Sequence, residues 1–114
     1  MSKTNYQQGD IVLIPYPYDD LSATKKRPVV IVSKNSLNCD AFIVAKITSV
    51  LRGDAESFPL ENISLDVPMS RPSEVRINQL FTAHKSLVIK KLSHLETLAL
   101  GQLSEKIKTN FEVL

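Results

Sequence analysis

Cysteine, glycine and histidine are scarce in this 114-residue sequence, and each scarcity removes a class of chemistry. The single cysteine, Cys39, cannot close an internal disulfide or build a thiolate zinc cluster. Gly9, Gly53 and Gly101 are the only glycines and lie too far apart to form a Gly-rich phosphate loop. His84 and His94 are ten residues apart, with no further ligand at metal-binding spacing. Ser33, Ser36, Ser49 and Ser73 sit in no nucleophile-elbow pattern. No apolar run approaches the ~20 residues that span a bilayer, and MSKTNYQQGD lacks the apolar core of a signal peptide. These absences lead us to expect a soluble cytoplasmic protein with no membrane partner, metal or cofactor.

What is present is ordinary globular composition, 43% hydrophobic and 23% charged, in a chain long enough to bury a real core. We find no repeat, low-complexity stretch or Ser/Gly linker, and read residues 1–114 as a single domain. Fourteen Lys+Arg against twelve Asp+Glu give a net charge of +2, which permits nucleic-acid binding without demanding it. The distribution is more informative: Lys25, Lys26 and Arg27 are consecutive, in what reads as a loop. A solvated loop explains such a run as well as a nucleic-acid contact does.

Short-period apolar patterns fill the first three-quarters of the chain. GDIVLIP (9–15) reads as a strand stopped by Pro15 and Pro17. PVVIVS (28–33) and AFIVAKITSV (41–50) follow as β-branched strands. PLENISLDV reads as a weak edge strand, and SEVRINQLFTAH (73–84) alternates, with Val75, Ile77, Phe81 and Ala83 on one side with Gln79. SLVIKKL adds a short final strand. The tail is helical, with apolar residues from Leu95 and Leu98 to Ile107 at i, i+3, i+4 spacing. Ser93 and Glu96 have the spacing of a capping box, and Gly101 suggests a close approach of helix to sheet. The expected fold is mainly β, a small antiparallel barrel or strongly curved sheet with a C-terminal helix.

Strand parity turns Phe42, Val44, Lys46 and Thr48 one way, so Thr48 lies beside Lys46 at the rim where the third strand ends. Arg27 occupies the matching transition into the second strand. An arginine fork and a hydroxyl on neighbouring rims can converge on a phosphate. From spacing alone, a surface arginine and a threonine chosen for β-propensity is the simpler account. Tyr16, Tyr18 and Phe81 are able to stack bases, but aromatics in so small a domain more often pack the core or rim. Asp19 and Asp20 read as turn formers.

GDIVLIPYPYDDLSATKKRPVVIVS resembles the opening of the MazF/PemK family of toxins from bacterial type II toxin–antitoxin systems. AKITS (45–49), SEVRINQLFTAHKSLVIKKL and LSHLETLALGQLSEKIKTNF resemble the family's third strand, late strand pair and terminal helix, in order and over nearly the whole chain. The resemblance implies an SH3-like barrel of antiparallel strands, the fold of MazF- and CcdB-like plasmid maintenance toxins, which dimerises. It also implies a cytoplasmic endoribonuclease that cleaves single-stranded RNA selectively and without metal, leaving 2′,3′-cyclic phosphate and 5′-hydroxyl ends, and that a cognate antitoxin neutralises.

By the same resemblance, the catalytic arginine before the proline of the second strand falls on Arg27 and the catalytic threonine on Thr48. Lys25, Lys26, Lys46 and Ser49 fall where RNA is contacted. Glu74 departs from the pattern, standing where similar sequences are commonly apolar; it reads either as an edge residue at a dimer or antitoxin surface or as a sign of drift from an active toxin. Two alternatives come from other classes. One is a protein-binding gyrase poison, against which the lack of tryptophan and the ending NFEVL argue; the other is a catalytically silent SH3-like module.

Overall fold

The computed structural model describes residues 5–16 and 25–113. Six strands form one antiparallel sheet in the order β4-β5-β3-β2-β1-β6. They are β1 (Asp10–Tyr16), β2 (Lys25–Ile31), β3 (Ala41–Thr48), β4 (Ser57–Leu60), β5 (Ser73–His84) and β6 (Lys90–His94), followed by the helix α1 (Thr97–Lys108). Residues 17–24, which include Tyr18, Asp19 and Asp20, lie outside the described residues.

Alternation along these strands generates two buried clusters. Ile11, Val30, Ala45, Ile47, Val75 and Ile77 face α1, which buries Ala99 and Leu103 against them. On the other face Val12, Ile14, Val29, Ile31, Phe42 and Val44 pack together as the sheet curls, closed by Tyr6 and Phe81. Full burial of each Val, Ile or Leu contributes about 1.5–3 kcal/mol, so the two faces hold the half-barrel with no cross-link or ligand required.

Several local expectations are corrected. β1 does not stop at Pro15 but continues to Tyr16, with Pro15 paired to Lys26. The Leu13 carbonyl accepts from Ile89 N on the β6 side, so two residues on the proline nitrogen faces that same side, past the last β1–β6 pair at Leu13↔Lys90. Lys25, Lys26 and Arg27 belong to β2 rather than to a loop. In β5 the register jumps from Ala45↔Leu80 to Lys46↔Arg76, leaving Ile77, Asn78 and Gln79 as extra residues. An odd insertion reverses parity, so Val75 and Ile77 face α1 while Phe81 packs with the opposite cluster.

The capping box does not form: Ser93 is a buried strand residue whose Oγ accepts from Val67 N and has its one proton within reach of the Val67 carbonyl and the Asp66 carboxylate. Glu96 itself caps α1, accepting from Ala99 N at 3.0 Å. Leu98 points to solvent, 69% exposed, and Gly101 approaches nothing, with open space where its Cβ would be.

Candidate active site

β1 fixes β2 and β2 fixes β3, and this chain of registers sets the site. Ile14 pairs with Arg27, and β2 pairs with β3 through Val29↔Lys46. Continued two residues past that last pair, the register sets Arg27 across from Thr48. Residues directly opposite in an antiparallel pair project to the same face, which here also carries Lys25 and Lys46. The exposed ends of β2 and β3 therefore present a row of three cations and one hydroxyl. Lys26 alternates to the opposite face, and Ser49 is exposed just beyond β3.

Two features order this row. The Lys46 ammonium lies 5.6 Å from the Tyr16 ring centroid, and Tyr16 is held edge-on by Phe81 with centroids 5.1 Å apart. Tyr16 and Phe81 thus serve as rim packing, with the Tyr16 face engaged by a cation. Thr48 Oγ1 accepts a hydrogen bond from Val50 N at 3.1 Å, which occupies an oxygen lone pair and leaves the hydroxyl proton to donate. Arg27 is exposed, its fork open to solvent.

Beside this rim lies a charged network in which Glu74 and Arg76 are buried and Asp54 is exposed. Glu74, the cross-strand partner of Thr48, is only 2% exposed, and Arg76 6%. Glu74 Oε1 accepts from Arg52 N at 3.0 Å and from Gly53 N at 3.3 Å, both in the loop after Thr48. Glu74 Oε2 accepts from Arg76 Nη1 at 2.8 Å and from Ser57 Oγ at 2.5 Å. Arg76 also clamps Asp54 through both terminal nitrogens, at 2.9 and 3.2 Å, while its Nε is buried without a partner.

The titration of the network follows from these contacts. The hydrogen bond from Arg76 holds the Asp54 carboxyl at about 2. Burial works to raise Glu74, but hydrogen bonds from Ser57, Arg76 and the two loop amides outweigh it and leave the group below its ordinary value. Hydrogen bonding to Asp54 raises Arg76, and burial opposes that rise without cancelling it. Glu74 is therefore neither an edge nor a surface residue. Its presence beside Arg76, two apart in a strand that is apolar at 75 and 77, was the sequence signal for a buried pair on one face.

A groove of about 510 Å³ lies on the α1 side, bounded by Glu56, Ile77, Asn78, Leu80, Asn110 and Phe111, away from the basic row. Among the described residues no group of three or more His, Cys, Asp or Glu could hold a metal. His94 Nδ1 instead meets the buried Asp10 at 2.7 Å. No helix among them is long and apolar enough to cross a membrane.

Residues 7–111 match the model of the PemK-like, MazF-like toxins of type II toxin–antitoxin systems. The chain belongs to this family. Solved MazF structures share its fold. The Mycobacterium tuberculosis toxin MazF-mt6 is 21% identical with a TM-score of 0.72, covering 92% of this chain and 98% of its own. A mycobacterial endoribonuclease in complex with its cognate antitoxin is 14% identical with a TM-score of 0.75, covering 93% and 94%. MazF from a Deinococcus radiodurans MazE–MazF structure is 13% identical with a TM-score of 0.76, covering 95% and 97%. No curated protein matches the chain significantly. In this MazF-like toxin, then, the curled antiparallel sheet with one C-terminal helix is the family's fold, and the basic row stands at one end of it.

Proposed function

We propose that this toxin is a sequence-selective endoribonuclease of single-stranded RNA, working without metal as a cytoplasmic homodimer that a cognate antitoxin neutralises. The observation that supports the reading is that Arg27 and Thr48 each lie two residues beyond the last β2–β3 ladder pair, beside Lys25 and Lys46. Family membership supports it, as do structural neighbours that are themselves an endoribonuclease and its antitoxin complex.

In this reaction the ribose 2′-oxygen attacks the adjacent phosphorus and the 5′-oxygen leaves. The products are a 2′,3′-cyclic phosphate and a 5′-hydroxyl, with one proton lost from the nucleophile and one gained by the leaving group. The substrate supplies its own nucleophile, so DNA is spared. Arg27 stabilises the charge that grows on the non-bridging oxygens, the dominant contribution in sites of this kind. Thr48 donates its hydroxyl proton to the same phosphate. Arginine is a poor base at neutral pH and threonine no better, so the pair acts by charge and position. Lys25 and Lys46 extend the phosphate track, with Lys26 and Ser49 at its margins.

The test is incubation of the purified, antitoxin-free protein with mixed-sequence RNA in EDTA, with mass spectrometry of the fragment ends. Discrete fragments with cyclic phosphate, reduced about 10²- to 10³-fold in Arg27→Ala and strongly slowed in Thr48→Ala, are expected. Intact RNA from folded protein would refute the reading in favour of a protein-binding toxin or a silent module.

A further inference from the structure

The Glu74–Arg76–Asp54 network has a consequence for the rim beside it. Glu74 reaches Thr48 along two routes: it is the Thr48 partner across the β3–β5 ladder, and its carboxylate binds two amides of the loop that follows Thr48. That loop returns a third amide, Val50 N, to Thr48 Oγ1. A hydroxyl that accepts from Val50 has its proton directed elsewhere. The loop that makes this bond is held by one carboxylate, itself fixed by Ser57 and Arg76, while Arg76 and Glu56 N close the far end of the loop on Asp54, whose own amide donates to Ser57 Oγ.

The residues of the loop tip, Val50, Leu51 and Arg52, are exposed and make no apolar anchor. The polar ties to Glu74 and Asp54 therefore set its conformation. A buried ion pair is seldom kept for net stability, because apolar replacements of similar volume often do as well. Its position here, across the ladder from Thr48 and tied to the loop that follows it, points to geometry as the property it secures.

We infer that Glu74 is a positioning residue for Thr48, acting through the 49–54 loop to orient the Thr48 hydroxyl toward the scissile phosphate. The kinetic part of this inference rests on the endoribonuclease reading above; the structural part does not. A glutamine at 74 has one acceptor oxygen and cannot serve both the loop amides and Arg76.

The experiment combines kinetics and amide exchange. In Glu74→Gln we expect kcat for RNA cleavage to fall about tenfold or more while KM stays within about twofold, the signature of a contact that matters in the transition state. In a Thr48→Ala background the same change should cost almost nothing further, because the residue it acts through is gone. The paired variant Glu74→Val/Arg76→Leu guards against simple unfolding: it should match or exceed the wild type in thermal stability yet remain slow, since the loop amides still lack their acceptor.

Full additivity with Thr48→Ala, or wild-type kcat in the stable paired variant, would overturn the inference. If the wild-type protein cleaves no RNA, the endoribonuclease reading fails, and amide exchange decides the inference alone. Glu74→Gln should then speed exchange at Arg52, Gly53 and Val50 about tenfold or more, and unchanged protection at Val50 would refute it.

Discussion

Replacing Gly9 by alanine sets a methyl group against atoms that cannot all move. The backbone there has φ +93°, and an added Cβ would meet Leu100 Cδ2 at 3.0 Å, His94 Cε1 at 3.2 Å and the Leu95 carbonyl oxygen at 3.2 Å. The leucine methyl can rotate away. The carbonyl cannot, because Leu95 N donates to the Gly9 carbonyl at 2.8 Å while Gly9 N donates to Ile31 O at 2.8 Å, so both strands fix the turn. The left-handed backbone alone costs a non-glycine residue about 1–2 kcal/mol, and the carbonyl contact adds to it, giving a loss of about 2–4 kcal/mol.

Alanine at Gly101 should act in the opposite sense. That glycine is exposed within α1 with nothing within 4 Å of its Cβ position, so the change recovers about 0.8–1 kcal/mol of helix propensity. Urea unfolding of both variants at neutral pH measures the pair as shifts in midpoint at constant m-value. A Gly9→Ala loss below about 1 kcal/mol would refute the tight approach, and a destabilised Gly101→Ala would refute the open one.

Acid should destabilise the protein through Asp54, which is exposed and clamped by Arg76, and through the buried Glu74. Asp54 is held at about 2 against an ordinary 3.8, and Glu74 is also held low. A carboxyl with a depressed folded-state value contributes stability above its unfolded value and loses it as pH falls through the folded one. Urea midpoints should therefore fall between about pH 4 and pH 2 by less in Asp54→Asn than in the wild type, and equal falls would refute the coupling. Glu96→Ala removes the acceptor for Ala99 N and should cost about 1 kcal/mol, read by the same unfolding; no change would show the cap to be replaced by water. Arg27→Lys keeps the charge but loses the bidentate fork, so cleavage should lie between wild type and Arg27→Ala, and wild-type rates would show that charge alone suffices.

Short-range patterns exposed most of the fold in the sequence, and long-range pairing concealed the rest. β3 and β5 were legible because β-branched alternation depends only on neighbours along the strand. The bulge at Ile77, Asn78 and Gln79 was not, because it exists only relative to the β3 register; it moved Phe81 to the face opposite Val75. Ser93 and Glu96 show the same limit from the other side. Their spacing satisfied a local capping rule, but Asp66 and Val67, some 26 or 27 residues away, had already engaged the serine. The candidate site divides along that line. Arg27 and Thr48 could be assigned to the ends of β2 and β3 because strand ends are local features, although Arg27 lies within β2 rather than at the transition into it. Glu74 read as an edge residue at a dimer or antitoxin surface, since what buries it and pairs it with Arg76, namely Ser57, Asp54 and the 52–53 amides, arrives from 17 to 22 residues upstream. A charged pair two apart on one face of an otherwise apolar strand is thus a reason to look for a third charge in the preceding loop. Here that loop is the one that leads away from Thr48, which is why Glu74 is tied to the end of β3 rather than left on the surface.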